Sequence, residues 1–532
     1  MQITVDQLRG DLPWRHMEQF GSGGFRYLRD KGVWYTDAYF RHANTETIVG
    51  HASLATGATP SVHGMVGNVW YDHGAGRLVY NVEDADYSLL SQDADVDQTS
   101  EIDPTQRMAK ADGRSPRALL SSTFSDELAV RYRGQSKVFA VSIKDRGAIP
   151  LAGQAGKAFW FSKAAGEFVT SDYYYRQYPT WVKDWNAAGK VDAYAGRSWG
   201  LLAAPESYRF NGLDDSPWET DFPGFGRTFP HPWGALAGKY YTTLLTVSPA
   251  GDELTLDFAK TLVDAEGLGQ DAVPDYLAIS FSSTDYVGHL FGPSSLEMED
   301  NLLRLDRTLA SLFAFLDTTV GLKHTLIVLS ADHGAPEVPG YLQSLGHQAA
   351  YVDREEYNTR SLNALLRDEL GVDRDLVRAF FAPYVYLDRE QVADSGLDLA
   401  DVQRQLAREL ATRDEVFAAY AAADLAVGGV PSDPLARAVA LSFQPQRSGD
   451  VHLVFASQHF INDFDGLSVA ATHGSGWRYD QHVPVVFAGN GLKGRKIARP
   501  VTPYDIAVTL SSRLGAMPPS GAVGNVLAEV VD

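Results

Sequence analysis

Short β-branched or aromatic runs alternate with helical stretches along the chain, and this alternation constrains the fold more than any other feature. The runs at 138–143, 276–281, 325–329, 452–455 and 483–487 read as buried strands. Helical patterns separate them, as in a largely parallel sheet with helices on its faces. The spacing predicts a helix opening at Ser294 or Ser295. Ser294 and Glu297 have capping-box spacing, Leu302, Leu305, Leu309, Leu312 and Leu316 recur at helical intervals, and Gly321 is a stop. A second helix is expected over 399–423, rich in Ala, Leu, Arg and Glu, and a third from Thr502-Pro503 to Gly515.

The chain has 532 residues, enough for one large α/β catalytic domain with insertions or for two to four ordinary domains. It carries 46 Lys and Arg against 67 Asp and Glu, a net charge of −21, so nothing in the overall charge favours a nucleic-acid duplex or an anionic membrane. A phosphate-like substrate would need local cations. With no cysteine, disulfides, thiolate catalysis and iron–sulfur clusters are excluded, and any metal must be held by His, Asp, Glu and neutral oxygens. No apolar run is long enough for a membrane span and the first residues do not form a signal peptide, so a soluble protein is expected. The acidic stretch at 92–103 imitates a calcium loop. Gln98 replaces its turn glycine and Pro104 its last glutamate, so it reads as a solvated loop.

Chemistry-bearing residues gather where predicted strands end, the usual location of ligand sites in parallel sheets. Asp332 and His333 follow one apolar run and precede Gly334. Asp285 and His289 follow another, four residues apart, so one helical turn aims both at one point. His473 lies in the loop ATHGSG, and Asp6 ends a short β-branched run. Singly, each reads as a turn residue or a structural histidine. Together, three histidines and three aspartates on four strand-end loops suit a pair of zinc ions. Thr47 precedes an apparent helix start and reads either as a helix cap or as a hydroxyl activated by a metal ion.

The pattern Thr47-x-x-Gly50-His51, then TGATPSVHG and Asn68, with TDYVGH, SADHG and the late THG, resembles the alkaline phosphatase superfamily. It is most similar to the branch holding the nucleotide pyrophosphatase/phosphodiesterases and the phosphate-irrepressible alkaline phosphatases. The resemblance implies that Asp285, His289 and His473 hold one zinc and that Asp6, Thr47, Asp332 and His333 hold the other. It implies further that Thr47 attacks phosphorus to give a phosphothreonine, which water then hydrolyses.

A monoester brings more negative charge than a diester, so a site specialised for it should add cationic donors. Lys144 and Arg146, in AVSIKDRGAI, lie two apart and on one side if the backbone stays extended. Alone this pair would be surface charge. KDRGAI followed by AGKAFWF resembles the monoesterase subgroup, which implies that Lys144, Arg146 and Asn68 bind the phosphoryl group. The tyrosines Tyr173, Tyr174, Tyr175 and Tyr178 with Trp181 read as packing, and His51 and His63 as structural.

The expectation is therefore an α/β, alkaline-phosphatase-like sandwich: one catalytic domain over 1–532, its central, mostly parallel sheet flanked by helices, with inserted lid or crown segments at about 148–233 and 336–468. Its function would be a zinc-dependent alkaline phosphatase, with two Zn2+ per chain, acting as a monomer on small phosphate monoesters and releasing inorganic phosphate. The resemblance implies a periplasmic or secreted location. A phosphodiesterase of the same superfamily is the alternative, and a noncatalytic metal-binding protein on this fold is the alternative of another class. A sulfatase is disfavoured because its nucleophile is made from cysteine.

Overall fold

In the computed structural model, which describes residues 1–531, the apolar runs pair into a nine-stranded sheet. Its strands are β1 (Gln2–Val5), β2 (Val33–Tyr35), β3 (Val138–Ser142), β4 (Lys157–Ser162), β5 (Glu167–Val169), β6 (Tyr276–Phe281), β7 (Leu326–Ser330), β8 (Val485–Gly489) and β9 (Arg495–Ile497). Their spatial order is β9-β2-β8-β7-β1-β6-β3-β4-β5. The run β7-β1-β6-β3-β4 is parallel throughout; β8 is antiparallel to both its neighbours and β5 antiparallel to β4. The sheet is thus mostly parallel, as expected.

Strand register places the site. In β1, Val5 lies opposite Phe281 and Thr4 opposite Ser330, while Ser280 lies opposite Ser142. The carboxyl ends of β7, β1, β6 and β3 are therefore level, and the loops carrying Asp332, Asp6, Asp285 and Lys144 emerge side by side. The backbone amide of Asp6 extends the ladder by one more bond, donating to Phe281 O at 2.9 Å.

Helices around the sheet include α1 (Thr47–Thr56), α2 (Asp145–Ala152), α3 (Ser283–Phe291) and α4 (Leu296–Thr319). The cap of α4 is Ser295, whose hydroxyl accepts from Met298 N at 3.0 Å. The alternative start, Ser294, instead accepts a hydrogen bond from Arg15.

A second, four-stranded antiparallel sheet lies within the 336–468 stretch: Val377–Phe381, Tyr384–Leu387, Val416–Ala421 and Val451–Phe455. It has its own core around Leu362, Val385, Leu406 and Leu453. The run at 452–455 belongs here and not to the central sheet. The helix expected over 399–423 is likewise shorter. Helix α5 (Leu399–Leu410) ends at a turn, and Val416–Ala421 pairs with Val451–Phe455, because strand pairing outweighs the helix propensity of its alanines. Part of the stretch expected as an inserted segment at 148–233 is also sheet: the aromatic run of β4 and its partner β5 close one edge. The last expected helix, α6 (Asp505–Leu514), starts after a turn in which Thr502 N donates to Asp505 at 2.9 Å, and Gly515, at φ 64°, ends it. Among the described residues no helix is long and apolar enough to cross a membrane.

Candidate metal centre

The three predicted histidines share one arrangement. His289 Nδ1 lies 2.8 Å from Ala471 O, His473 Nδ1 2.8 Å from Thr45 O, and His333 Nδ1 2.9 Å from Gly334 O. A carbonyl can only accept, so each Nδ1 carries a proton and Nε2 is the nitrogen turned to the centre, the orientation expected of a metal-binding imidazole. The Nε2 atoms of His289 and His473 both lie 3.3 Å from Asp285 Oδ1. That of His333 lies 3.4 Å from Asp6 Oδ1 and 3.3 Å from Asp332 Oδ2. The rings of His333 and His473 stack with centroids 3.5 Å apart, which joins the two groups.

Asp285, His289 and His473 thus converge on one point, and Asp6, Asp285 and His333 on a second. Asp332 borders the second group through His333. Asp6 Oδ1 and His333 Nε2 are buried with no hydrogen-bond partner, while Asp6 Oδ2 faces only the Lys144 ammonium and Asp332 Oδ2 only imidazole nitrogens. Buried polar atoms are ordinarily satisfied, and a divalent cation would satisfy these. Oxygen and imidazole donors without thiolates suit zinc among other divalent ions.

The electrostatics agree. Burial alone would raise Asp6 and Asp285, but Lys144, and for Asp285 also His289, hold both carboxyls well below the usual range. Burial lowers His333, yet Asp332 and Asp6 outweigh it and push the imidazole up to about 9. His473, buried and beside His333, falls to about 3 and stays neutral. The cluster attracts positive charge.

Thr47 is the first residue of α1, preceded by Glu46 in extended backbone, so it sits at the positive end of the helix. Helix α1 can lie against the loop after β7 because residue 50 is glycine: a Cβ there would stand 2.0 Å from the Asp332 carbonyl oxygen. His51, read from sequence as structural, also touches the site. Its Nδ1 is 2.8 Å from Thr47 O and 3.2 Å from Asp332 Oδ2. Asn68 Oδ1 accepts from Ile48 N at 3.2 Å, leaving its amino group as a donor.

Lys144 and Arg146 differ from expectation. Lys144 is extended, but Asp145 opens α2, so Arg146 is helical and the two side chains diverge. The Lys144 ammonium lies 2.8 Å from Asp6 Oδ2 and also pairs with Asp285, against the candidate metal ligands. Arg146 is buried, with Nη2 2.7 Å from Asp103 Oδ2 and Nη1 3.3 Å from the Tyr80 hydroxyl. Asp103 ends the acidic stretch expected to be solvated. It is buried instead, and Glu101 pairs with Lys163, because two cations of the core face this segment.

Thr47, Asn68, Arg146, Asp285, His289 and His473 line one side of a cavity of about 230 Å³. Phe380, Phe381 and Phe455 from the four-stranded sheet, with Phe460 and Phe464, line the other. Sequence reasoning missed Glu46, which also lines the cavity and accepts a hydrogen bond from Asn68 N; burial raises its carboxyl to about 7. It missed Tyr80 and the role of Asp103 as well. The tyrosine group behaves as packing: Tyr174 is buried, and Tyr175 and Trp181 pack on Phe159.

A family model described as type I phosphodiesterase / nucleotide pyrophosphatase matches residues 1–475. Alkaline phosphatase PafA of Elizabethkingia meningoseptica is 34% identical over 534 residues, 99% of this chain and 93% of that protein. Alkaline phosphatase PhoV of Synechococcus elongatus is 33% identical over 532 residues, 99% of this chain and 92% of that protein. The crystal structure of wild-type PafA has a TM-score of 0.90 at 33% identity, covering 100% of this chain and 98% of that one. With strand ends, histidine orientations and matched length all in agreement, the chain belongs to the type I phosphodiesterase / nucleotide pyrophosphatase family.

Proposed function

We propose that the protein is a zinc-dependent phosphomonoesterase that acts as a monomer on small phosphate esters and passes through a phosphothreonine at Thr47. The observation that carries this reading is the set of three imidazoles, each locked by a backbone carbonyl, whose Nε2 atoms meet buried carboxylates beside the Thr47 helix terminus. Full-length similarity to two alkaline phosphatases supports the monoester class.

Asp285, His289 and His473 would hold one ion, and Asp6, Asp332, His333 and the Thr47 hydroxyl the other. Bound there, zinc supplies Lewis acidity that lowers the pKa of a hydroxyl or water and offsets phosphoryl charge. The chain's own groups do the rest. The α1 terminus sets Thr47 where its N–H groups favour an anion, the Asn68 amide donates to a phosphoryl oxygen, and Arg146, braced by Asp103 and Tyr80, offers its remaining N–H groups to another. Lys144 adds a buried positive charge beside Asp285.

The family description also favours a second reading, a phosphodiesterase. After zinc reconstitution, p-nitrophenyl phosphate is expected to turn over faster than bis(p-nitrophenyl) phosphate; the reverse ratio would favour the diesterase. Thr47→Ala should abolish most turnover while zinc content stays within about twofold of wild type, since the carboxylate and imidazole ligands of both ions remain. Near-normal turnover in that variant would remove Thr47 from the mechanism.

A further inference from the structure

Directly after Asp6 stands a residue with an unusual backbone. Gln7 has φ 67°, in the left-handed region that side chains with a Cβ avoid. Arg133, Gln458, Asp465 and Asn490 share a positive φ, but Gln7 is the only buried one of the five, at 1% exposure. Such a conformation persists where surrounding contacts enforce it.

The contacts are specific. The left-handed turn points the Gln7 backbone N–H at Asp332 Oδ1, 3.1 Å away, and lets the side-chain Nε2 reach Asp285 Oδ1 at 2.9 Å. A carboxylate only accepts, so the amide must present its NH2 to Asp285 and its oxygen away from it. One residue of the β1 loop therefore grips a carboxylate from each side, Asp332 in the loop after β7 and Asp285 in the first turn of α3 after β6. The side chain reaches Asp285 by crossing α3 at Gly288, where a Cβ would lie 1.6 Å from Gln7 Oε1. Glycine at position 288, between Asp285 and His289, thus keeps the path for the Gln7 amide open.

Resting on the two-metal reading above, we propose that Gln7 is a positioning residue for both metal sites: through its backbone and side-chain donors it orients Asp285 and Asp332, and so sets the affinity of each site and the spacing between them. Hydrogen bonds of this kind fix the orientation of a ligating carboxylate, and their loss costs about 10- to 100-fold in metal affinity. With Asp285 assigned to one ion and Asp332 to the other, as above, the side-chain and backbone donors act on different sites, which makes them separable.

The test is a zinc titration of the purified full chain against a chromophoric chelator, with thermal unfolding and kcat and KM measured on the same samples. Wild type is expected to bind two zinc ions. Gln7→Met keeps the length but removes the side-chain donor, and it should weaken the site containing Asp285, His289 and His473 by about 10- to 100-fold. Gln7→Gly relieves the backbone conformation and keeps the N–H to Asp332, so it should fold and show the same one-site weakening. Gly288→Ala, which displaces the Gln7 amide without altering it, should reproduce that defect.

Unchanged zinc affinity in Gln7→Met and Gln7→Gly would overturn the proposal, as would equal weakening of both sites in Gln7→Gly. A lowered unfolding temperature with both affinities intact would also overturn it, by making Gln7 a purely structural residue. A wild-type protein that takes up no zinc would defeat the metal reading itself, and the first titration shows this before any variant is made.

Discussion

Replacing Asp103 with asparagine isolates the contribution of the acidic segment to phosphoryl binding. Asp103 Oδ1 accepts from Thr105 N at 2.9 Å and from its hydroxyl at 2.6 Å, and an asparagine carbonyl keeps both bonds. Oδ2 lies 2.7 Å from Arg146 Nη2, with side-chain exposures of only 8% and 4%, and there asparagine turns an NH2 toward a guanidinium N–H. Burial would raise the Asp103 carboxyl, but Arg146 and Thr105 hold it well below the usual carboxylate range, so the wild-type pair is ionised at any working pH. Removing one partner of a buried pair typically costs about 3–5 kcal/mol, and a guanidinium facing a donor swings away from it. If Arg146 thereby loses one aligned hydrogen bond to a dianionic phosphoryl group, kcat/KM for p-nitrophenyl phosphate should fall about 10- to 100-fold, or roughly 1.4–2.7 kcal/mol of transition-state stabilisation. A diester presents one negative charge fewer, so bis(p-nitrophenyl) phosphate should lose no more than about threefold. Steady-state kinetics on both esters, with urea unfolding as the control for fold, reads the ratio. An equal loss on both substrates, or no loss on either, would refute the claim that Asp103 acts through Arg146.

Two other perturbations test the scaffold. Gly50→Ala places a Cβ 2.0 Å from a backbone carbonyl that cannot rotate away, so α1 must retreat from the Asp332 loop. Stability should drop by about 1–3 kcal/mol in urea melts, with a larger proportional loss of turnover because Thr47 moves with the helix. Burial and the nearby Glu297 push the Glu219 carboxyl up to about 10. Between the ordinary glutamate value and that point the folded chain holds a proton that the unfolded chain has released, so stability falls as pH rises through the window, by at most about 1.4 kcal/mol per pH unit. Glu219→Gln should flatten the decline of the urea midpoint from pH 5 to 9, and an unchanged slope would assign the decline to other groups.

The strand ends were the legible part of this chain. Asp6, Asp285, Asp332 and His333 stand out because parallel strands begin and end in register, so residues following separate apolar runs emerge on one edge. His473 was legible as a residue type only. It sits in an irregular loop, and its anchor, Thr45 O, is distant in sequence. Local pattern misled where a tertiary partner decided the outcome. Residues 416–421 resemble the preceding helix in composition but pair with 451–455, and a helix opening at Asp145 breaks the expected extended Lys144–Arg146 pair. Asp103 looked solvated because a carboxylate in an acidic run gives no sign of the arginine it will meet. Gln7 was invisible for a related reason: its donors act on carboxylates in loops that only the folded sheet brings close.

The middle position of β1 bears on how the molecule assembles. Residues 2–5 lie between 278–281 and 328–330, so this strand is flanked by partners that leave the ribosome much later than it does. Until they arrive, a segment that ends fully buried has no native neighbour, and closing the sheet requires contacts of very large sequence separation. Refolding from denaturant should accordingly be slow and sensitive to protein concentration, because the same exposed edge that awaits its own chain can pair with another.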